Sequence, residues 1–241
     1  MTNDMPDLSG KTALVTGASR GIGRATALAL AKAGAHVLAL ARTTGGLEEL
    51  DDEIRCVGGK ASLIPMDLTE GNGIERLAEA LGERFDKIDI IIANAAMLGE
   101  LAALTDIEPK VWQKILDLNV TANWRLIRAF DPLLRKSDDA HMVFLTSRVG
   151  GKEARAYWGG YAVSKAAMEM LAETYGEETK TTNINVAIID PGAMRTSMRA
   201  QAMPGEDPQS LPAPEELTPL IYKAVTTSTD GVMRLSFRDD V

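Results

Sequence analysis

The feature that most constrains this chain is the regular alternation of short apolar runs with Ala- and Leu-rich helical stretches. It begins at once. TALV (12–15) is an apolar run ending at Thr16-Gly17, ASRGIGRATALALAKAGA follows as a helix closing at Gly34, and HVLALA (36–41) is a second run. Helix 47–56 then leads to strand 61–65, and helix 72–85 to strand 88–93. A long helical region, 109–136, reads as two helices in succession or one with a kink. Strand 141–146, a helix entered through Gly159-Gly160, strand 184–189, a Pro-rich loop (MPGEDPQSLPAPEE, 203–216) running into a helix over 214–225, and strand 232–237 complete the pattern. Strands without an alternating polar face must be covered on both sides, which is the requirement of a parallel sheet between two helical layers. No repeat, low-complexity tract or linker divides the chain. Residues 1–241 are therefore expected to form a single α/β domain, a doubly wound parallel sheet with helices on both faces. Such sheets bind ligands at the carboxyl ends of their strands.

Composition removes several function classes. Net charge is −8 and no basic cluster exceeds two residues, so a nucleic-acid partner is not expected. Cys56 is the sole cysteine, and only His36 and His141 could join it, so neither an internal disulfide nor a His/Cys metal site is available. The start, MTNDMPDLSGK, has neither the basic segment nor the apolar core of a secretory leader, and no uncharged stretch suits a bilayer. A cytoplasmic protein with no membrane partner is expected.

The turn after the first strand is Thr16-Gly17-Ala18-Ser19-Arg20-Gly21-Ile22-Gly23. Gly17 permits the sharp exit from the strand, Gly21 a close approach of backbone to ligand, and Gly23 tight helix–sheet packing. The following helix N-terminus presents free N–H groups to a pyrophosphate. A Gly-rich connection could be only a connection, but strand–turn–helix is the context that dinucleotide binding requires. It is no Walker loop, since Arg24-Ala25 stands where Lys-Ser/Thr is needed. Where NAD sites carry an acid at the end of the second strand, this chain has Ala41 followed by Arg42-Thr43. Arg42, with Arg20 in the neighbouring turn, suits a 2′-phosphate, so NADP(H) is expected over NAD(H).

Tyr161 and Lys165 lie four apart in YAVSK on an expected helix and so share a face. A phenol beside a cation is a candidate acid/base pair, although the spacing alone is common. Bringing a tyrosine from about 10 to neutrality takes roughly 4 kcal/mol. One nearby cation supplies about 1–3 units, so Lys165 alone is marginal, and a positively charged oxidised nicotinamide could add the rest.

TGASRGIG (16–23), Asp67-Leu68, Asn94-Ala95-Ala96, Asn119, Ser147, Tyr161 with Lys165, and Pro191-Gly192 together resemble, in kind and order, the short-chain dehydrogenase/reductase family, NADP-preferring type. The similarity covers nearly the whole chain. It implies a Rossmann-type domain that interconverts a carbonyl and an alcohol by hydride transfer, chiefly as a reductase, on a small-molecule substrate. It makes Tyr161 the acid/base, Lys165 its electrostatic partner, Ser147 the orienting hydroxyl and Asn119 the holder of a proton-relay water. Cofactor contacts are expected from Gly17, Ser19, Arg20, Gly21, Ile22, Gly23, Arg42, Thr43, Asp67, Leu68, Asn94, Ala95, Tyr161, Lys165, Pro191, Gly192 and Thr196. Asp67 could equally cap the next helix, and Asn94 could equally brace the sheet. Ser147, Tyr157, Trp158, Tyr161 and Met194 are expected at the substrate, under a lid over 194–214 that includes Met198 and Met203.

Ala96 replaces the usual Gly of the family. Two further departures stand out: the insertion-like GGKEARAYWGG (150–160) between Ser147 and Tyr161 makes a distinctive substrate loop with Trp158 as a stacking surface, and the chain ends at Asp239-Asp240-Val241 without the glycine-rich segment of many relatives. A homodimer or a homotetramer is therefore expected. The alternative function is a non-catalytic NADP-binding regulatory protein. A sugar-nucleotide epimerase would need a larger C-terminal domain. No charge pattern in the loops names a substrate.

Overall fold

A computed structural model of the chain describes residues 5–239. The readings made of the first four residues and of Asp240-Val241 lie outside the described residues.

Seven strands form one sheet: β1 (Thr12–Thr16), β2 (His36–Ala41), β3 (Lys60–Pro65), β4 (Ile90–Ala93), β5 (Ala140–Leu145), β6 (Ile184–Asp190) and β7 (Val232–Ser236). Their order is β3-β2-β1-β4-β5-β6-β7, and every neighbouring pair is parallel. The chain thus winds outward from β1 to β3, returns, and winds the other way from β4 to β7. That doubly wound order leaves a crevice above the β1/β4 junction, where the winding reverses.

Side chains alternate between two cores, as a period of two demands. Ala13 and Val15 of β1 enter one core with Leu30 of helix α1 (Gly21–Lys32), Leu47 and Ile54 of α2 (Thr44–Cys56), and more distant helical residues. Leu14 enters the other, with Ile74 of α3 (Gly73–Arg84) and, further along the chain, Phe130 and Met168. The apolar runs lacked a polar face because both faces are covered.

The long helical region is α4 (Pro109–Leu116), a π-helical turn (Asp117–Thr121) and α5 (Ala122–Leu134). One extra residue per turn displaces the backbone at this point, which is where Asn119 sits. Helix α6 (Gly159–Thr179) carries Tyr161 and Lys165. The Pro-rich loop contains more order than expected: α7 (Ser197–Ala202) precedes it, and short 3-10 turns lead into α8 (Thr218–Thr226).

Gly23 shows how tightly the first turn is built. A Cβ there would lie 2.2 Å from the Gly17 carbonyl oxygen and 2.5 Å from Asn94 Nδ2, so the backbone itself would have to move. Gly23→Ala should therefore cost at least about 2 kcal/mol, a fall in Tm of about 4–8 °C. Gly45, beside which a Cβ would meet nothing within 4 Å, is the control. Gly45→Ala should be neutral or mildly stabilising in the same thermal melts. Equal behaviour of the two variants would refute this account of the turn.

Candidate active site

The crevice is floored by the glycine turn. Gly17 (φ 67°) and Gly21 (φ 55°) both occupy the left-handed region that favours glycine. Arg20 caps α1 in an extended conformation and its side chain makes no capping bond, so the first N–H groups of the helix are left for a ligand. Ser19, Arg20, Gly21 and Ile22 line the crevice, whereas Gly23 lies behind it against Gly17. Thr16 joins the two strands beneath: its hydroxyl donates to the Ile92 carbonyl (3.2 Å) and accepts from the Asn94 and Ala95 amides (both 3.0 Å). Asn94 Nδ2 donates to the Thr16 carbonyl (2.8 Å), so Asn94 braces the sheet while also lining the crevice with Ala95. Ala96 needs no left-handed backbone: among the described residues, only Tyr157 has a positive φ without being glycine.

At the β2 end the crevice is lined by Ala41, Arg42, Thr43, Asp67 and Leu68. Asp67 Oδ1 accepts from the Thr69 amide (2.9 Å) and hydroxyl (2.7 Å), while Oδ2 faces Arg42 Nη1 at 3.6 Å. Burial opposes ionisation of Asp67, but Thr69 and Arg42 outweigh it and hold the carboxyl below its usual range. Asp67 thus holds a local turn at Thr69 and does not cap the next helix, whose N-cap position is Asn72. Arg24 is neutralised by Glu49 and Glu53, whereas Arg20 forms no ion pair among the described residues. With Ala41 at the strand end, this corner offers Arg20 and the largely exposed Arg42 to a phosphate, with no carboxylate in the place where one would exclude it.

At the other end, β5 delivers Ser147 and α6 delivers Tyr161 and Lys165 to the same wall. Tyr161 and Lys165 are both buried. Lys165 Nζ donates to the Leu145 carbonyl (2.7 Å) and stands 5.7 Å from the centre of the Tyr161 ring. Burial pushes the phenol up to about 12; hydrogen bonding with Ser147 pulls it down and the Asp190 charge adds to the rise. Burial also brings the Lys165 ammonium down to about 8, against the opposing charge of Glu169. The protein alone therefore holds Tyr161 protonated. The depression by Lys165 expected from the helical spacing is not what opposes desolvation here; the hydrogen bond with Ser147 is.

Asn119 is buried and does not line the crevice. Its Nδ2 donates to the Met97 carbonyl and to Ser164 Oγ, its Oδ1 accepts from the Met97 amide (each 2.9 Å), and its own carbonyl accepts from Asn123 Nδ2 (2.7 Å). It clamps the loop after β4 to α6. Trp158 and Met194 line the crevice, and Trp158 meets the Tyr161 ring edge-on at 6.0 Å. Tyr157, expected at the substrate, is not brought to the crevice: its backbone is left-handed (φ 70°) and the residue is 64% exposed. Pro191, Gly192 and Thr196 lie along the near rim, with Thr196 capping α7 through the Arg199 amide (3.2 Å).

Thr146 and Glu169 were not singled out from the sequence. Glu169 lies one turn beyond Lys165, is 7% exposed, accepts from Thr146 Oγ1 (2.5 Å) and pairs with Arg234 Nη1 (2.9 Å) of β7. A Cβ on Gly151 would fall 2.1 Å from its Oε1, so the turn after Ser147 rests directly on this carboxylate. Its i,i+4 spacing from Lys165 was the available signal.

The model of the short chain dehydrogenase family matches residues 11–207, and the chain belongs to that family. It is 36% identical over 216 residues to the uncharacterised oxidoreductase YciK of Escherichia coli, covering 88% of this chain and 85% of that one. It is 35% identical to the rhamnolipid-biosynthesis 3-oxoacyl-[acyl-carrier-protein] reductase of Pseudomonas aeruginosa, over 88% and 83% of the two chains. A short-chain dehydrogenase of Shigella flexneri solved with NADP superposes with a TM-score of 0.91 at 34% identity, over 97% of this chain and 99% of that one. One from E. coli solved with NADPH superposes with a TM-score of 0.89 at 34% identity, over 96% and 98%.

The opposed effects on Lys165 can be measured without substrate. In protein labelled with ¹⁵N-lysine, the Lys165 Nζ resonance should titrate near pH 8, and Glu169→Gln should move that midpoint lower, because a carboxylate that favours the ammonium is lost. An unmoved midpoint would show that Glu169 does not act on the lysine.

Proposed function

We propose that the chain is an NADP(H)-dependent oxidoreductase that reduces a carbonyl of a small molecule to an alcohol. The observation that carries this reading is one crevice with Arg20 and Arg42 at one end, Ala41 standing where an acid would exclude a 2′-phosphate, and Ser147, Tyr161 and Lys165 at the other. Relatives solved with NADP and NADPH support it. Arg42, with Arg20, would hold the 2′-phosphate, the α1 N-terminus and glycine turn the pyrophosphate, and Pro191, Gly192 and Thr196 the nicotinamide half. When bound, the reduced cofactor supplies the hydride. Ser147 orients the carbonyl oxygen toward Tyr161. The Tyr161 hydroxyl, kept protonated by burial, gives its proton to that oxygen as the new C–H bond forms. The Lys165 ammonium compensates the charge left on the phenolate. Asn119 holds the loop beside it, and the second lone pair of its carbonyl serves a water on the return path of the proton. Residues 194–214 form the lid.

The complete acid/base set disfavours a purely regulatory role. Trp124 of α5 and Val163 and Met170 of α6 leave apolar surface exposed, which supports burial of these helices in a homodimer or homotetramer. Among the described residues no helix is long and apolar enough to cross a membrane, which agrees with a cytoplasmic setting.

Tyr161→Phe should lower kcat at least about 100-fold in an NADPH-absorbance assay over a carbonyl panel, while NADPH binding persists. Retained turnover would overturn the mechanism. Arg42→Asp should weaken NADPH about 10- to 150-fold and strengthen NADH; an unchanged ratio of the two affinities would overturn the cofactor assignment.

A further inference from the structure

Beyond Tyr161 the substrate end of the crevice is walled by a small apolar cluster separate from both sheet cores: Leu98, Val149, Trp158, Tyr161 and Ala202, with Met198 and Met203 packed on it. Away from the Arg20 and Arg42 corner four arginines line the crevice: Arg238 beside Gly192, and Arg148, Arg155 and Arg199 around the apolar cluster. Arg148 is held by Glu153 (2.5 Å), and Arg199 is held through two nitrogens by both oxygens of Glu206 (2.5 and 2.6 Å). Arg155 differs from both. Its guanidinium lies over the Trp158 ring, 5.0 Å from the ring centre, Nη2 is 3.8 Å from the Met203 sulfur, and it forms no ion pair among the described residues. The acid that feels its charge, Glu206, is already bound on both oxygens by Arg199.

These contacts form a line. The Tyr161 ring touches Trp158 edge-on at 6.0 Å, and Trp158 carries Arg155 on its face at 5.0 Å. A substrate whose carbonyl oxygen sits at Tyr161 and whose chain runs along this apolar wall would have Arg155, which has no ion-pair partner among the described residues, one aromatic side chain further on. The contacts with the Trp158 ring and the Met203 sulfur restrict the guanidinium, which lowers the entropy lost when its remaining N–H groups grip a carboxylate or phosphate.

We infer that Arg155, stacked on Trp158, is an anion subsite, and that the substrate class is a carbonyl compound with an apolar segment ending in a carboxylate or phosphate ester. This inference rests on the reductase reading of the same crevice. The competing view, that Arg155 is a solvated cation that merely covers Trp158, predicts no discrimination by substrate charge.

The test uses the full-length enzyme with NADPH and matched probes: oxo-carboxylates of graded length against their methyl esters, and 3-oxoacyl thioesters of coenzyme A against those of N-acetylcysteamine. The anionic members should exceed their neutral partners in kcat/KM by about tenfold or more, mostly through KM, and added salt should erode that advantage. Arg155→Ala should remove the advantage and Arg155→Lys should keep part of it. Which pair shows the larger ratio tells carboxylate from phosphate. Equal rates for charged and neutral partners, or an Ala variant that slows both alike, would overturn the subsite. In parallel, calorimetric titration of the NADP⁺-loaded enzyme with a non-reducible fatty carboxylate and its amide should show preference for the carboxylate that depends on Arg155. If no probe is reduced yet that preference is present, the reductase reading fails and the subsite stands; if the preference is absent, the subsite fails.

Discussion

The hydroxyl of Thr16 is the contact on which the rest of the site depends. It sits where β1 and β4 part company, and it bonds to one carbonyl and two amides of the neighbouring strand end. Asn94 returns the contact from the other side, through its amide to the Thr16 carbonyl. With the strand ends joined there, Gly17 can turn sharply, Gly23 can press against the Gly17 carbonyl, and α1 can point its N-terminus into the crevice. Each backbone group at this junction is buried or nearly so, and an unmade bond there would cost about 1–3 kcal/mol. A ligand site built on backbone donors has to be rigid in this way, because backbone cannot rotate to seek a partner.

At the other end of the crevice the controlling effect is desolvation. Burial drives the Tyr161 phenol up and the Lys165 ammonium down, so each group is pushed toward its neutral form. A buried phenol that stays protonated is a proton donor, which suits reduction of a carbonyl. For the lysine the pressure is adverse, and the Glu169 carboxylate works against it from one turn along the helix. Glu169 is itself secured by Thr146 and Arg234, so its charge is balanced and its position fixed.

Much of this was legible in the sequence. The apolar runs marked all seven strands to within a residue or two because both faces of a parallel sheet are buried, and the glycine turn and Tyr161–Lys165 pair carried their spacing openly. What escaped depends on geometry that spacing does not encode. Tyr157 and Trp158 are adjacent aromatic residues of similar appeal, and only a left-handed backbone at Tyr157 turns one outward and leaves the other at the crevice. The π-helical turn at Asn119 has no residue signature, and it explains why the region read as two helices or one with a kink is a continuous run with a displaced turn. The importance of Thr16 was hidden because a threonine ending a strand is ordinary, and that of Glu169 because Arg234, its partner, lies 65 residues away.

That separation bears on how the protein matures. The glycine-turn end of the crevice comes from β1 to β4 in the first half of the chain, whereas Glu169 is neutralised by an arginine on the last strand. The carboxylate behind Lys165 therefore acquires its counter-charge only when the last strand has joined the sheet. A single sheet folds as a unit, so the two ends of the crevice are completed together. The Glu169–Arg234 contact therefore acts as a closing stitch, tying catalytic readiness to the docking of β7.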